Sequence, residues 1–341
     1  MDIQVAISQV VEGRSLTTDD MATVMRQIMT GAAQDAQIGG LLVALRMKGE
    51  AVSEIAGAAK VMRELATGVK VEGEHLVDIV GTGGDGSCIF NVSTASSMVV
   101  AAAGGKVAKH GNRSVSSSSG AADLLEAAGV RIDLNSEEVA RCVDELGVGF
   151  MFAVNHHSAA KYAAGPRKAL GIRTLFNVLG PITNPAGVKR QLLGVYSAEL
   201  QRPIAEVLRE LGSDHVLVVH ANDGLDEISI AAETRVVELH RGEIKEYSVT
   251  PEQFGMERSA LDSLVVDNAK ESLAVIKLAL TGGHPVAANM LALNAGAALY
   301  AADVSSNLGE GVALAQDVIA SGLGWEKLRM LAQFTQLLKE V

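Results

Sequence analysis

The sequence predicts an α/β protein in which a small helical N-terminal domain precedes a larger α/β domain with a central, largely parallel sheet flanked by helices. Three observations support this fold class. Apolar residues recur at helical spacing over the first 70 residues, short apolar runs alternate with helical segments after Gly73, and the pattern is helical again from Glu271. The 341 residues suit about two domains at ~150 residues each.

The N-terminal region has the three- and four-residue apolar spacing of amphipathic helices, with no strand pattern between them. Thr17 and Ser53 stand where the caps of the second and fourth helices are expected. The predicted helices cover residues 3–12, 17–30, 35–47 and 52–66. We therefore expect residues 1–72 to form a helical domain.

The larger domain, residues 73–341, alternates strand and helix patterns. Strands are predicted at residues 77–80, 106–109, 148–153, 192–196, 215–220 and 235–240, and helices at 93–103, 120–128, 137–146 and 201–211. Residues 158–184 are helical but are interrupted at Gly165-Pro166 and Gly180-Pro181. We expect about 165–185 to fold back against the N-terminal helices, which would make the first domain discontinuous.

Composition excludes several classes of protein. The net charge of −11 argues against a nucleic-acid surface, which needs a basic face. Two cysteines offer no disulfide framework, and no apolar run approaches the ~20 residues of a membrane span. The N-terminus lacks the apolar core of a signal peptide. We expect a cytoplasmic protein with neither nucleic acid nor a membrane as partner.

The first predicted strand runs into Gly81-Thr82-Gly83-Gly84-Asp85-Gly86. Glycines permit left-handed backbone angles, so that successive N–H groups can converge on an anion. The segment also matches the GxGxxG pattern of dinucleotide sites, which requires an acid about 20 residues further on. No Asp or Glu occurs between Gly86 and Ala122, and Lys106 and Lys109 stand there instead. The pattern therefore favours a phosphate site over a dinucleotide site.

Two further segments supply groups suited to an anion. Asn91-Val92-Ser93-Thr94 leads into a helix, where Ser93 or Thr94 is a natural N-cap, and the free N–H groups of that helix start suit a phosphate. Lys109-His110-Gly111-Asn112-Arg113-Ser114 ends a strand and precedes a run of serines at 116–119. Ligands collect at strand ends in α/β sheets, which favours binding over a solvated turn.

Three other groups have two interpretations each. The doublet His156-His157 suggests metal, but no third ligand lies at helical spacing. Arg167 is either a surface cation or a planar partner for a carboxylate. Two adjacent acids, Asp226 and Glu227, end the segment Asp223-Gly224-Leu225-Asp226-Glu227. They form either an acidic turn or a site for a hard cation, such as magnesium bridging to a diphosphate.

Five segments, in their order along the chain, resemble the anthranilate phosphoribosyltransferase family of tryptophan biosynthesis, and the resemblance extends over essentially the whole chain. The segments are GTGGDG, NVSTA, KHGNRS, FAVNHHSAAKYAAGPRKALGIRTLFNVLGPITNPAG and DGLDE. The resemblance implies a homodimeric pentosyltransferase that uses 5-phosphoribosyl 1-diphosphate (PRPP), anthranilate and two Mg²⁺ ions per subunit. We expect no covalent intermediate, and no catalytic residue is assigned.

The family's site residues map onto this chain position by position. Those implied for PRPP are Gly81, Gly84, Asp85, Asn91, Ser93, Thr94, Lys109, Asn112, Ser117 and Ser119. Those implied for anthranilate are Gly81, His110, Asn112, His157, Arg167 and Gly180, with Arg167 facing the carboxylate. Those implied for magnesium are Ser93, Asp226 and Glu227.

Three positions depart from the family pattern. Ile89 stands where the family often has Thr, which puts one hydroxyl contact in question, and the family often has Pro at Val154 and Lys or Cys at Ser118. None of these departures lies at a position mapped above. The alternative functions are a pyrimidine-nucleoside phosphorylase-like enzyme and a non-catalytic nucleic-acid-binding relative. The acids Asp226 and Glu227 argue against the former, and the negative net charge argues against the latter.

Overall fold

The structure, a computed structural model, describes residues 1–113 and 119–338. Its N-terminal region is helical, as the apolar spacing predicts. The four helices are α1 (Ile3–Val11), α2 (Thr18–Met29), α3 (Asp35–Lys48) and α4 (Val52–Leu65). Thr17 caps α2, because its hydroxyl accepts a hydrogen bond from the backbone N–H of Asp20 at 3.2 Å.

The cap predicted for α4 at Ser53 is wrong. Ala51 precedes the helix, and its N–H donates to the carboxylate of Glu54 at 2.7 Å. The Ser53 hydroxyl instead donates to the carbonyl of Leu16 at 2.7 Å. Glu54 is fully buried and also pairs with Lys48 at 2.9 Å, so that one carboxylate satisfies several donors at this helix start.

Within the described ranges the second region contains a seven-stranded sheet. Its strands are β1 (Leu76–Gly81), β2 (Lys106–Gly111), β3 (Val148–Phe152), β4 (Arg190–Gly194), β5 (His215–Ala221), β6 (Thr234–His240) and β7 (Glu243–Val249). The helices between them are α5 (Val92–Ala102), α6 (Ala121–Ala127), α7 (Ser136–Leu146), α8 (Ala153–His156), α9 (Lys161–Leu170), α10 (Phe176–Leu179) and α11 (Gln201–Glu210). Four helices follow the sheet: α12 (Ala269–Ala279), α13 (Pro285–Ala301), α14 (Leu308–Ser321) and α15 (Leu323–Leu337).

The strand order, β3-β2-β1-β4-β5-β6-β7, confirms the largely parallel sheet. Strands β1 to β5 run parallel, whereas β6 is antiparallel to both β5 and β7. The chain moves outward in one direction from β1 to β3 and in the other from β4 onward. The switch point between β1 and β4 is where doubly wound sheets bind ligands, at the carboxyl ends of the strands.

The two faces of the sheet belong to two hydrophobic cores. Leu192 and Leu217 face a core shared with α5 and α13, whereas Leu193 and Val218 face a core shared with α1–α4 and α11. This alternation follows from the two-residue period of a strand. The second core also contains Phe176, from the segment expected to fold back. Among the described helices, none combines the length and apolarity needed to cross a bilayer.

Candidate functional site

The glycine loop lies at the switch point. The φ angles of Gly83, Gly84 and Gly86 are 62°, 80° and 77°, a region open mainly to glycine. The N–H of Thr82 donates to the carbonyl of Gly194 at 2.9 Å, which attaches the loop to the end of β4. No described group accepts a hydrogen bond from the N–H of Gly84, Asp85 or Gly86. These three consecutive N–H groups suit an anion, and the anion site stays a prediction.

Asp226 packs directly against the two strand ends. A Cβ added at Gly81 would lie 2.5 Å from the Asp226 carboxylate, and one at Gly194 would lie 1.6 Å from the Asp226 carbonyl oxygen. The N–H of Gly83 donates to Asp226 Oδ2 at 2.8 Å. The absence of side chains at Gly81 and Gly194 is what lets this carboxylate reach the loop.

The carboxylates of Asp85, Asp226 and Glu227 lie close together at this point. The pKa of Asp226 rises to about 7, first because the surrounding protein removes water and then because of the nearby Asp85 charge. The pKa of Glu227 is raised well above its usual value by the same loss of water and by Asp226. A cluster of carboxylate oxygens suits a hard divalent cation, and the residues present therefore fit magnesium.

The start of α5 brings a hydroxyl and a cation to the same place. Lys109, at the end of β2, is only 2% exposed, and its Nζ donates to Ile79 O at 2.6 Å and to Ser93 Oγ at 3.2 Å. The backbone of Ser93 hydrogen-bonds Glu227, which moderates the raised pKa of that acid. Ser93, Lys109 and Glu227 are thus neighbours although they lie far apart in the sequence.

The cap of α5 differs from the prediction of Ser93 or Thr94. Asn91 caps the helix, because its side-chain oxygen accepts from the N–H of Thr94 at 3.1 Å. The hydroxyl of Thr94 is buried and has no hydrogen-bond partner in the described part of the chain. Neither Ser93 nor Thr94 therefore uses its hydroxyl to cap α5.

Asp78 is a buried charge that the sequence analysis missed. It is fully buried in β1, and its carboxylate accepts from His110 N at 3.2 Å and Asn184 Nδ2 at 2.7 Å. Burial raises its pKa to about 6, although the charge of Lys109 opposes this. Burial lowers the pKa of Lys109, and Asp78 and Glu227 counteract that shift. The signal for Asp78 was an acid inside an otherwise apolar strand.

His110 and His157 form an edge-to-face pair, with their ring centroids 5.1 Å apart. His110 is 2% exposed and His157 is 7% exposed. Burial lowers the pKa of His110 to about 3, helped by His157 and opposed by the backbone of Gly180. Burial likewise lowers the pKa of His157 to about 4. The structure thus brings together His110, His157 and Gly180. His156 is used structurally, with Nδ1 2.8 Å from Thr67 O.

Arg167 lies on α9 with its guanidinium carbon 5.0 Å from the centre of the Phe176 ring. No hydrogen bond or ion pair links this guanidinium to any residue that the structure describes. Burial lowers its pKa, so a negative partner would be favourable there. Close by in sequence, Gly180 has open space where a side chain would stand.

The segment after β2 is only partly described. The carbonyl of Asn112 accepts from Ala122 N at 3.3 Å, and Ser119 is 8% exposed. Ser117 and Ser118 lie outside the described residues. Arg113, expected to join Lys109 as an anion contact, instead pairs with Asp123 at 2.9 Å and with Glu126. Its charge is therefore committed to two acids.

Arg173 is a second residue of the site that the sequence did not predict. Its guanidinium donates to the carbonyl oxygen of Gly84 and lies 4.1 Å from the centre of the Tyr196 ring. Nothing in the local pattern distinguishes it from Arg167, six residues earlier. Only the folded chain shows that Arg173 touches the glycine loop.

The fold and the site together define a glycosyl transferase. Residues 73–324 match the family described as "Glycosyl transferase family, a/b domain", and residues 4–66 match its "helical bundle domain". Anthranilate phosphoribosyltransferase of Cellvibrio japonicus is 60% identical over 343 residues, covering 99% of this chain and 100% of the relative. That of Chromohalobacter salexigens is 62% identical over 338 residues, covering 99% and 98%. The chain therefore belongs to the anthranilate phosphoribosyltransferase family.

Solved structures agree with this assignment. The Thermus thermophilus enzyme superposes with a TM-score of 0.92 at 44% identity, covering 97% of this chain and 99% of that one. The Saccharomyces cerevisiae enzyme, solved in complex with PRPP and Mg, superposes with a TM-score of 0.88 at 27% identity, covering 98% of both chains.

Proposed function

We propose that this protein transfers the 5-phosphoribosyl group of PRPP to the amine of anthranilate and releases diphosphate, the second step of tryptophan biosynthesis. The observation that carries the proposal is the convergence of four groups at the switch point: the free N–H groups of the glycine loop, the carboxylates of Asp226 and Glu227, and the Lys109–Ser93 contact. Such a set suits a diphosphate with its metal. The Saccharomyces cerevisiae enzyme has been solved in complex with PRPP and Mg and, separately, in complex with 4-fluoroanthranilate, which supports these substrates and magnesium.

The residues divide by the part of the substrate that each would hold. Gly81, Gly84, Asp85, Asn91, Ser93, Thr94, Lys109, Asn112, Ser117 and Ser119 would bind PRPP. Asp226, Glu227 and Ser93 would hold two magnesium ions, which neutralise charge on the departing diphosphate. Gly81, Asn112, His110, His157, Gly180 and Arg167 would surround anthranilate, with the Arg167 guanidinium pairing with its carboxylate.

The reaction forms a bond from the anthranilate nitrogen to C1 of the ribose and breaks the bond from C1 to the diphosphate oxygen. The amine is a neutral nucleophile, so no base is needed before the attack. Lys109 and the loop N–H groups stabilise the negative charge that develops on the leaving group. With pKa values of about 3 and 4, His110 and His157 are weak proton acceptors. These lowered pKa values favour diphosphate or water over either imidazole as the acceptor of the released proton.

An assay of anthranilate fluorescence tests the proposal. Purified protein should consume anthranilate only when PRPP and magnesium are both present, and a characterised relative serves as the active control. Asp226→Asn should raise the magnesium concentration needed for half-maximal activity, because a neutral amide is a poorer ligand. Asp223→Asn, nearby on the same loop, is the matched control. No consumption by the wild type, or phosphorolysis of pyrimidine nucleosides instead, would overturn the proposal.

We also propose the organisation that the sequence suggests. Residues 1–72, joined by about 165–185, form one domain, and residues 73–341 form the other. The packing of Phe176 in the core of the N-terminal helices supports this organisation.

We propose that the protein is a cytoplasmic homodimer. The dimer is supported by apolar side chains that α1 and α3 leave exposed, among them Val11 at 70% and Met47 at 84%.

A further inference from the structure

Arg173 connects two parts of the molecule that the proposed reaction must align. It lies between α9 and α10, in the segment that also carries Arg167 and Gly180. Gly171, with φ of 63°, ends α9, and Thr174 N donates to Asn177 Oδ1 at 2.9 Å at the start of α10. Local contacts therefore hold the backbone on each side of Arg173, which sets the point from which its side chain extends.

The Arg173 guanidinium makes two contacts with other segments, one with the glycine loop and one with the residues after β4. It donates to the carbonyl of Gly84, and it stacks over the ring of Tyr196 with 4.1 Å between its carbon and the ring centre. Tyr196 in turn donates its N–H to Thr82 Oγ1 at 3.0 Å. Arginine is suited to both contacts at once, because its planar group can stack and hydrogen-bond together.

The hydrogen bond to Gly84 has a geometric consequence for the loop. In a trans peptide the carbonyl of one residue and the N–H of the next point in opposite directions. With Gly84 O held by Arg173, the N–H of Asp85 is directed away from Arg173. Gly84 has no side chain to restrict its side of the Gly84–Asp85 peptide, so the contact with Arg173 helps to hold the orientation of that peptide.

We infer that Arg173 is a positioning residue for the proposed reaction: it fixes the Gly84–Asp85 peptide so that the loop presents its N–H groups to the diphosphate of PRPP. Arg173 thereby joins the segment that carries the anthranilate contacts to the loop that carries the PRPP contacts. The inference rests on the proposed function and assigns Arg173 no contact with either substrate.

The test compares Arg173→Ala and Arg173→Lys with the wild type in steady-state kinetics, together with calorimetric titration of PRPP in the presence of magnesium. Loss of a charged hydrogen bond should raise the KM and Kd for PRPP about tenfold or more in Arg173→Ala. The KM for anthranilate should change less. Arg173→Lys should recover part of the PRPP affinity, since a lysine can reach the carbonyl but cannot stack as a plane. Arg209→Ala removes an exposed arginine on α11 and serves as the matched control.

Tyr196 supplies a second, independent variant. Tyr196→Phe should preserve PRPP affinity because the stacking ring remains, whereas Tyr196→Leu should weaken it about threefold. In the Arg173→Ala background, Tyr196→Leu should add little, because the stack is already lost. A PRPP affinity within twofold of the wild type in folded Arg173→Ala would overturn the inference, as would an effect on anthranilate alone. An inactive wild type would instead overturn the proposed function.

Discussion

At the residue scale, Arg167 is the group whose role has the clearest kinetic signature. Its guanidinium is partly buried beside Phe176, and no described residue neutralises it. Arg167→Ala should raise the KM for anthranilate about tenfold to a hundredfold, because a charge-assisted hydrogen bond to the carboxylate is lost. The KM for PRPP should stay nearly constant. Steady-state kinetics with each substrate varied in turn give both values.

The control for this prediction is Lys168→Ala, which removes the adjacent, exposed cation of α9. It should behave as the wild type. A change in the KM for PRPP alone in Arg167→Ala would show that the assignment to anthranilate is wrong.

The pair His110 and His157 predicts a pH dependence of stability. Their pKa values, about 3 and 4, lie below the ordinary value of 6.5. Between those values the unfolded chain binds more protons than the folded one. The stabilisation is therefore complete above about pH 6.5 and is lost as the pH falls toward about 4 for His157 and about 3 for His110. The slope approaches about 1.4 kcal/mol per pH unit for each histidine.

Urea unfolding at a series of pH values measures this slope. It should become shallower in the double variant His110→Asn and His157→Asn. His284→Asn is a suitable control, because His284 precedes α13 and asparagine also caps helices well. An unchanged slope in the double variant would contradict the prediction.

At the scale of elements, Asp226 can pack against the ends of β1 and β4 only because Gly81 and Gly194 have no side chains. Gly194→Ala would place a methyl group 1.6 Å from the carbonyl oxygen of Asp226, which backbone movement alone can relieve. The acid-bearing segment must then move away from Gly83. We expect activity to fall by about a hundredfold or more, since small displacements in a site have such effects.

The measurement for Gly194→Ala is kcat/KM together with thermal unfolding. Gly309→Ala provides the control, because its added methyl group would meet only the Asn307 side chain at 3.4 Å. That control should retain full activity. Wild-type activity in Gly194→Ala would mean that Asp226 need not lie against the strand ends.

At the scale of the whole molecule, the exposed apolar residues of α1 and α3 predict self-association. Val11→Glu combined with Met47→Glu should convert a dimer into a monomer, because buried charges oppose an apolar interface. Sedimentation equilibrium should give twice the 35.5 kDa chain mass for the wild type and the single mass for the variant. A wild type that sediments as a monomer would contradict the proposed homodimer.

The extent to which the sequence predicts this molecule depends on how local each signal is. Helices α1 to α4 and strands β1 to β6 were predicted to within a few residues, because each depends on its own apolar spacing. Strand β7 was missed, since Glu243–Val249 is an edge strand with mostly exposed polar residues.

Long-range contacts could not be derived from spacing. Gly83 and Asp226 are 143 residues apart, and the resemblance to a family, rather than the pattern, placed their segments in one site. Asp78 and Arg173 were missed because their partners lie on other elements. The sequence could not single out Asn91 as the cap, because Asn91, Ser93 and Thr94 all carry suitable oxygens. The choice depends on the residue at which α5 begins.

The position of β1 between β2 and β4 also sets an order of events during synthesis. β1 acquires its neighbour β2 within 30 residues, but β4 begins only at Arg190. At a ribosomal rate of about 5–20 residues per second, the opposite edge of β1 stays unpaired for roughly 5 to 20 seconds while the intervening chain emerges. An unpaired apolar strand edge is a template for aggregation. The nascent chain thus exposes one aggregation-prone strand edge between the emergence of β1 and that of β4.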